Sequence, residues 1–472
     1  MPSKNPLYLI DVPPPTISGL LHMGHVFSYC HMDFVARYKR WSLQEWEEGQ
    51  SEPLLYPFCF DCNGLPTEKL AQSSRQISTT PEIISFAEET SAKYADFFKT
   101  IGMGWSSHRY HTFDANAVAL AEMSFADLKE KGLAYKATRE YYWCPKHQVS
   151  VSQSEIDEEG CYERSGEKVE IRTGEGWFIN LLDHLPRIRE AIQEIRWTSD
   201  KLIGSGTSFR DRLLAWLDGL KYDWSISRER NYGIHVPGEP DNIVFDTWFT
   251  SSLSPQMTWV SHTGTPSLSC PIFDARFQAH DIIRTWALFT IVKSLYHNDQ
   301  IPWKNIIISG HALDKKGRKI SKSAGNFVPP QTYVEKYGMN GVRYWAALNQ
   351  VGTDTRCDEQ AMEKGKRLIN KIRNAYKFIC MGEQKGGKNQ GYWIEASGVL
   401  GRLQTYSDDY NWPLAMHTLT EFFWNTFCDK WIEECKTSPM YETLGEVFQA
   451  LVGEFTVFFP DLPEILLETR KS

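Results

Sequence analysis

Residues 6–25 read PLYLIDVPPPTISGLLHMGH, and this stretch decides the fold class. Its first part, residues 6–12, is short, apolar and ended by prolines, which is typical of a buried strand. From Gly24 onward, apolar side chains recur at steps of three and four residues, which predicts a helix with one buried face. A strand, a turn and a helix in this order form the opening unit of a nucleotide-binding α/β domain.

The start of this helix carries groups that suit a phosphate. A helix N-terminus presents unpaired N–H groups and a partial positive charge. Gly24 allows the backbone to approach a nucleotide closely, and His22 and His25 could donate hydrogen bonds to an α-phosphate as it becomes five-coordinate. Two histidines at this spacing also occur as a structural pair or as a metal-binding pair, so this motif alone leaves three interpretations open.

A second motif lies about three hundred residues later, where residues 314–326 read DKKGRKISKSAGN. Lys319 and Lys322 are mobile point charges, which could follow pyrophosphate as it leaves a nucleotide. Ser321 and Ser323 flank Lys322 and are candidate contacts to ATP. The alternative interpretation is a basic surface loop. The histidine motif upstream in the same chain argues against it.

The bulk composition is that of a globular protein, since the 472 residues are 42% hydrophobic and 23% charged. No run approaches the ~20 apolar residues that cross a membrane, and no apolar signal segment opens the chain. We therefore expect a cytoplasmic protein without a membrane partner. Ten scattered cysteines fit a reducing compartment better than a disulfide framework. The net charge of −8 argues mildly against nucleic acid as the main partner.

One segment departs from this acidic average. Residues 363–377 are basic, and Lys364, Arg367 and Lys371 fall on one face of a predicted helix. A solvated helix surface is the ordinary explanation for such a pattern. A contact to an RNA backbone is the alternative, and the sequence leaves both open.

The two motifs, in this order, resemble the two signatures of the class I aminoacyl-tRNA synthetases. The resemblance extends over nearly the whole chain and is closest to the valyl-tRNA synthetases of the archaeal type. Besides the two signatures, the matching stretches are residues 13–25, 60–68, 246–252, 279–286 and 338–347.

This resemblance implies an α/β fold with a split Rossmann catalytic domain, a small connective insertion between its halves, and an all-α helical-bundle domain of the anticodon-binding kind. The editing domain and the C-terminal coiled coil of full-length relatives have no apparent counterpart here. The predicted bounds are 1–135 for the first Rossmann half, 136–222 for the truncated insertion, 223–357 for the second half and 358–472 for the helical domain.

The resemblance also implies roles for residues outside the two signatures. Asp61 is expected to hold the α-ammonium of the amino acid, and Asp281 to accept the ribose hydroxyls of ATP. Ile282 stands where isoleucine enzymes usually carry glutamine, which favours valine. The expected walls of the side-chain pocket are Pro14, Trp248, Ile282 and Trp286.

A candidate metal site follows from the same comparison. Cys144, His147 and Cys161 match in outline a zinc knuckle of the family. A fourth ligand is not apparent, because Ser225 stands where relatives often have cysteine. A turn without metal is the alternative to a Zn²⁺ site.

Three functions remain open. The first is activation of valine, or a close analogue, by ATP and Mg²⁺ as an aminoacyl-adenylate, followed by transfer to tRNA without proofreading. The second is the same activation in a paralogue that feeds specialised-metabolite biosynthesis. The third is a non-catalytic sensor of amino acids or tRNA, which the intact signatures disfavour. The sequence does not indicate the oligomeric state.

Overall fold

The structure is a computed structural model that describes residues 8–43, 54–147, 149–163, 165–203, 208–320, 325–382 and 386–471. The chain forms two compact units. The first comprises residues 1–19, 51–93 and 105–308, and the second comprises residues 20–50, 94–104 and 309–472. The four-part division expected from the sequence is a different partition and stays a prediction.

The strands are, in chain order, β1 (Tyr8–Asp11), β2 (Leu54–Leu55), β3 (Phe58–Phe60), β4 (Arg109–His111), β5 (Ala134–Cys144), β6 (Val149–Val151), β7 (Cys161–Tyr162), β8 (Glu167–Lys168), β9 (Glu170–Ile179), β10 (Arg196–Trp197), β11 (Trp224–Ser225), β12 (Ser227–Glu229), β13 (Ile243–Phe245), β14 (Phe273–Ala279), β15 (Trp303–Ser309), β16 (Ala312–Leu313) and β17 (Thr355–Arg356).

The α-helices are α1 (Met23–Ser42), α2 (Leu65–Arg75), α3 (Thr80–Thr100), α4 (Ala115–Glu130), α5 (Leu185–Glu194), α6 (Thr198–Ile203), α7 (Phe209–Asp218), α8 (Thr247–Ser251), α9 (Ser254–Thr263), α10 (Leu288–Asn298), α11 (Pro330–Ala347), α12 (Glu359–Gly382), α13 (Gln390–Asp408), α14 (Trp412–Glu421), α15 (Glu433–Thr437), α16 (Tyr441–Phe458) and α17 (Leu462–Lys471). The 3₁₀ turns are Gln153–Glu155, Leu182–His184 and His280–Ile282, and the π-helical segments are Ile283–Ala287 and Phe422–Ile432.

The first unit is built on a five-stranded sheet in the order β10-β15-β14-β1-β2. β1 pairs in parallel with both β14 and β2, and β10 pairs in parallel with β15. The strands are rich in residues such as Ile10, Ile306 and Ile308, which are completely buried. Such apolar runs are expected when helices cover both faces of a parallel sheet. The predicted α/β class is confirmed.

The insertion has a regular structure, although residues 136–175 are polar and show no clear strand pattern in the sequence. β5 and β9 form a long antiparallel ribbon, paired from Ala134↔Ile179 to Trp143↔Glu170. With β6 and β11 they make a four-stranded sheet. The outer half of the ribbon buries neither face, so its sequence lacks the alternation of apolar and polar residues by which strands are recognised.

The second unit joins α1 to the helices that follow the second motif. In the described part of residues 358–471, every regular element is helical, as the sequence predicted. Trp412 and Phe458 of this region pack edge-to-face on Phe34 of α1. No helix of the described residues combines the length and apolar character that crossing a bilayer requires.

A buried ion pair fixes the centre of this unit. Asp33 of α1 accepts hydrogen bonds from Arg343 Nη2 of α11 and from Arg37 Nε, each at 2.7 Å. Arg343 also donates to the carbonyls of Ile101 at 3.1 Å and of Phe458 at 2.5 Å. Burial alone would raise the pKa of Asp33, but the charges of the two arginines hold it below its usual range.

We expect Arg343→Met to lower the free energy of unfolding by about 3 kcal/mol, because it leaves a buried carboxylate with one cationic partner fewer. Urea denaturation measures the change. Arg75→Met is the matched control, since the ion pair of Arg75 with Glu89 is solvent-exposed and should contribute little that is measurable. Equal losses in the two variants would contradict the central role of the buried pair.

Candidate active site

The proline-rich segment after β1 lies beside Asp61. The backbone N–H of Asp61 donates to the carbonyl of Pro15 at 3.1 Å, and the N–H of Ile17 donates to the carbonyl of Asp61 at 3.0 Å. Both Pro14 and Asp61 are buried. These backbone hydrogen bonds hold the segment that contains Pro14 against the segment of Asp61.

Thr112 holds the Asp61 carboxylate, and sequence reasoning missed it. Its hydroxyl donates to Asp61 Oδ1 at 3.3 Å and accepts the N–H of Cys62 at 2.9 Å. Thr112 directly follows β4, which pairs in parallel with β3. The carboxyl ends of parallel neighbours meet at one edge, so a polar residue at the end of β4 was the available signal.

The two tryptophans expected in the pocket wall are in contact. Trp248 lies on α8, directly after β13, and Trp286 lies on the π-helical turn before α10. Their ring centroids are 5.8 Å apart with an interplanar angle of 63°. The Trp286 indole donates to the Ser251 carbonyl at 3.0 Å, and the Trp248 indole donates to Glu155 Oε1 at 3.1 Å. Such single π-helical turns are frequent at functional sites.

A close approach connects the Asp61 segment to α8. The hydroxyl of Thr247 donates to the Asn63 carbonyl at 2.7 Å. The next residue, Gly64, has a φ of 77°, and a Cβ built on it would lie 3.0 Å from the Thr247 hydroxyl oxygen. Glycine is therefore needed at this position for both its backbone conformation and its lack of a side chain.

Asp281 and Ile282 lie on the turn that ends β14. Because β14 pairs in parallel with β1, through Ile10↔Ala275, this turn emerges at the same sheet edge as the proline-rich segment. Asp281 is exposed, as a contact to ribose hydroxyls requires, and Ile282 is half-buried. Residues 280–298 form a 3₁₀ turn, a π turn and α10 and not one continuous helix.

In the second unit, His22 and His25 cap α1 with their own side chains. His22 Nδ1 accepts the N–H of Gly24 at 3.1 Å, and His25 Nδ1 accepts the N–H of His22 at 3.2 Å. Each imidazole that accepts at Nδ1 carries its proton on Nε2. Burial, followed by the neighbouring His22, lowers the pKa of His25 well below its ordinary value. The pair therefore presents neutral N–H donors.

Gly24 has a further structural reason to be glycine. A Cβ at this position would lie 2.9 Å from Nδ1 and Cε1 of the His22 ring. Any other residue would displace the ring that caps the helix. The two imidazole rings lie close together, with centroids 4.0 Å apart and an interplanar angle of 43°.

The base of the second motif is folded around Asp314. Its Oδ1 accepts the N–H groups of Lys316 at 2.8 Å and of Arg318 at 2.9 Å, and its Oδ2 accepts Asn326 Nδ2 at 2.9 Å. Asn326 Nδ2 also donates to the Lys319 carbonyl at 3.1 Å. These bonds hold the pKa of Asp314 far below its usual range. Lys319 is exposed; Ser321, Lys322 and Ser323 lie outside the described residues.

Glu359 joins this loop to the helical region. At the first turn of α12, its carboxylate accepts Lys315 Nζ at 2.5 Å and Lys336 Nζ at 2.7 Å, and it also accepts the hydroxyl of Tyr337. These three hydrogen bonds lower the pKa of Glu359 to about 2. The loop base, α11 and α12 are thereby held together by one carboxylate.

The predicted tRNA-binding residues of α12 divide into two groups. Lys364 and Arg367 are exposed, and Arg367 pairs with Glu363 at 3.4 Å on its own helix. Lys371 is half-buried, pairs with Asp429 at 3.1 Å and lies 5.0 Å from the centroid of the Trp424 ring. The first two are accessible to a partner, and Lys371 contributes to packing between helices.

The candidate zinc ligands do not fit a zinc ion as they are placed. Among the described residues, the ligand atoms of Cys144, His147 and Cys161 are not gathered within 4.8 Å of one another. His147 Nδ1 instead meets the ammonium of Lys69, and burial and this charge lower the pKa of His147. A lysine in hydrogen-bond contact with a ligand disfavours a bound cation, so no chemistry is assigned to zinc.

Comparison with known proteins identifies the family. A model described as tRNA synthetases class I (I, L, M and V) matches residues 2–238 and 239–358. The chain belongs to this family. It is a class I aminoacyl-tRNA ligase of the group that takes hydrophobic amino acids.

Individual relatives are distant in sequence. The chain is 25% identical to the valine–tRNA ligase of Anaplasma marginale (strain St. Maries) over 695 residues, covering 98% of this chain and 82% of the relative. It is 26% identical to that of Rickettsia typhi (strain ATCC VR-144 / Wilmington) over 703 residues, covering 100% of this chain and 84% of the relative. These alignments exceed the 472 residues of the chain, so the relatives contain stretches without a counterpart here.

Solved structures confirm the fold. A leucyl-tRNA synthetase of Agrobacterium radiobacter K84, in a ternary complex with tRNA and LeuAMS, matches with a TM-score of 0.81 and 14% identity over 99% of this chain and 86% of that one. A methionyl-tRNA synthetase of Mycobacterium tuberculosis bound by methionyl-adenylate matches with a TM-score of 0.76 and 18% identity, covering 98% and 94%.

We expect Asp314→Ala to accelerate amide hydrogen exchange at Lys316 and Arg318 roughly tenfold, because both N–H groups lose their acceptor. Hydrogen-exchange mass spectrometry on a peptide covering the loop base measures this. Lys316→Ala is the control, since it removes an exposed charge from the same loop and leaves the Asp314 bonds in place. Unchanged exchange in Asp314→Ala would show that the loop base is held by other contacts.

Proposed function

We propose that the enzyme activates valine, or an amino acid of closely similar shape, with ATP and transfers it to tRNA. The observation that carries the proposal is the arrangement around Asp61. A buried carboxylate, held by Thr112, lies beside the proline-rich segment and is linked through Asn63 to the helix of Trp248. A carboxylate suits the α-ammonium group, and paired indoles suit a small apolar side chain.

The proposed chemistry has two steps. In the first, the amino-acid carboxylate attacks the α-phosphorus of ATP, the bond to the bridging oxygen breaks, and pyrophosphate leaves. In the second, a hydroxyl of the terminal ribose of tRNA, the 2′-OH by resemblance, attacks the acyl carbon and AMP leaves. ATP enters as its magnesium complex, which supplies neutralisation of the phosphate charges. Zinc has no part in this scheme.

The residues of the chain contribute mainly position and charge. His22 and His25 donate hydrogen bonds from Nε2 to the α-phosphate, where negative charge develops. Lys319 and Lys322, with Ser321 and Ser323, follow the leaving pyrophosphate. Gly24 admits the nucleotide to the helix N-terminus, and Asp281 accepts the ribose hydroxyls.

Among the amino acids that this family activates, valine is the one that the residues of the pocket wall favour. Ile282 is half-buried and adds an apolar surface to the two indoles. The valine–tRNA ligases among the relatives agree with this choice. Archaeal-type descent within the valine enzymes stays a prediction.

The absence of proofreading is part of the proposal. Valine pockets reject threonine only about a hundredfold, because the two side chains have nearly the same shape. The stretches that the relatives contain and this chain lacks would include the editing domain. We therefore infer that threonyl-tRNA formed by this enzyme persists.

The tRNA acceptor is supported by the helical region and by the exposed Lys364 and Arg367. The second candidate, a paralogue that supplies an activated amino acid to specialised-metabolite biosynthesis, shares the first chemical step. A sensor is disfavoured, because the histidine pair is arranged as neutral donors and the lysine loop has an ordered base. Ten free thiols support a reducing, cytoplasmic location.

ATP–pyrophosphate exchange with a panel of branched and hydroxylated amino acids tests the proposal. We expect valine to give the highest kcat/KM and threonine a detectable rate. Lys322→Ala should lower exchange with valine by roughly two orders of magnitude, and Lys316→Ala, an exposed lysine of the same loop, should not. Charging of total tRNA with the best amino acid then separates the two enzymatic candidates. No exchange with any amino acid would refute the function.

Asp61→Asn tests the amino-acid site separately. We expect KM for valine to rise roughly a hundredfold, because a neutral amide replaces the counter-charge of the ammonium group. KM for ATP should stay within about twofold, since Asn preserves the size of the side chain. A parallel rise of both constants would indicate a general loss of structure and would remove Asp61 from substrate binding.

A further inference from the structure

We propose that Glu155 is a positioning residue for amino-acid selection, because it fixes the indole of Trp248 as a rigid wall of the pocket. The inference rests on the proposed function, in which Trp248 and Trp286 enclose the substrate side chain. It concerns a residue of the short connector between β6 and β7, and neither the signatures nor the family resemblance singled it out.

The contact is buried and directional. Trp248 Nε1 donates to Glu155 Oε1 at 3.1 Å, and the two residues are 93 positions apart in the chain. Glu155 is 7% exposed and Trp248 is 6% exposed. An indole N–H bonded to a buried carboxylate is a charge-assisted hydrogen bond, which is about twice as strong as a neutral one. Rotation of the indole would leave the carboxylate with one donor fewer in a site away from water.

The carboxylate is itself held by its own turn. Its second oxygen, Oε2, accepts the N–H of Ser152 at 3.1 Å, and the Ser152 side chain completes a capping box around the turn Gln153–Glu155. Both oxygens therefore have a donor within the described residues. Rotation of the carboxylate would break its hydrogen bond with the Ser152 N–H, which is part of the turn Gln153–Glu155.

Arg228 connects the turn to the helix that carries Trp248. The guanidinium donates to the Ser152 hydroxyl and pairs with Asp246 Oδ1, each at 3.4 Å, and it donates to the Ser225 carbonyl at 2.9 Å. Asp246 immediately precedes α8 and also accepts the Trp224 indole at 3.2 Å. The donor and the acceptor of the Glu155–Trp248 bond are thus braced by one arginine, which is 6% exposed.

The connector is also attached on its far side. Arg284, two residues before Trp286, pairs with Glu163 and donates to the Ile156 carbonyl at 3.3 Å. Each indole N–H is bonded to a fixed acceptor, so the gap between the rings cannot adapt at low cost. A substrate with one methylene more must then displace packed groups, which is worth about ten- to two-hundredfold in discrimination.

Kinetics of Glu155 variants test the inference. The measurement is the ratio of kcat/KM for valine to that for isoleucine in ATP–pyrophosphate exchange. Glu155→Ala should lower the ratio roughly tenfold, through KM for the amino acids, with KM for ATP unchanged. Glu155→Gln leaves one acceptor oxygen for two donors, the Trp248 indole and the Ser152 N–H, and should lower the ratio about threefold, less than Glu155→Ala. Glu158→Ala, an exposed residue of the same connector, is the matched control and should behave as the wild type.

A second background shows whether Glu155 acts through the indole. Trp248→Phe removes the N–H donor and should lower the ratio by itself, which keeps the inference testable even if Glu155→Ala does not fold. Glu155→Gln should then add nothing in the Trp248→Phe background, so that the two changes are not additive. Equal losses with valine, isoleucine and ATP at an unchanged ratio would overturn the inference and leave Glu155 a structural residue. Independent, additive effects would also overturn it.

Measurements on the wild type distinguish failure of the positioning role from failure of the proposed function. Exchange by the wild type with an unaltered valine-to-isoleucine ratio in Glu155→Ala refutes the positioning role alone. A wild type without exchange for any amino acid refutes the proposed function, and the positioning role with it.

Discussion

The buried pair of Asp33 and Arg343 is the constraint on which the second unit depends. α1 begins with the histidine motif and α11 follows the lysine loop, and the pair joins these helices where both are inaccessible to water. A buried charge is tolerable only when its hydrogen-bonding capacity is satisfied. Here the carboxylate has two guanidinium partners and the N–H of Gly104, and Arg343 also reaches backbone carbonyls from two other segments. The two signatures are therefore attached to helices with one shared core.

The same two side chains serve the fold and the proposed chemistry at the start of α1. A helix N-terminus must satisfy its unpaired N–H groups, and His22 and His25 do so with Nδ1. This choice fixes the tautomer of both rings and directs a proton to Nε2, where a phosphate oxygen would need a donor. Neutral imidazoles cost less to bury than charged ones. Residues 22–25 can therefore cap the helix and bind a phosphate at the same time.

Local patterns predicted much of this molecule. The strand β1, the helix α1 and the α/β class follow from apolar periodicity, and the helical C-terminal region follows from the family resemblance. The ribbon of β5 and β9 could not be predicted, because its outer half buries neither face. Glu155 acts through a contact between segments distant in sequence, which no local pattern encodes, whereas Thr112 could have been found as a polar residue at the end of a strand. The zinc prediction came from the family resemblance, and it did not anticipate that Lys69 would contact His147.

A pocket without proofreading must discriminate by its own walls, and the physics of those walls decides which errors remain. Hydrogen-bonded indoles resist the volume of an additional methylene, because the groups that would have to move are packed and bonded. They offer no comparable resistance to threonine, whose hydroxyl occupies nearly the space of a methyl group. Rejection of threonine would require an unsatisfied polar contact, and rigid apolar walls impose only a modest desolvation penalty on the hydroxyl. Under the proposed valine specificity, bracing of Trp248 by Glu155 would thus improve selection by size and leave selection by polarity unchanged, so the expected error is threonine and not isoleucine.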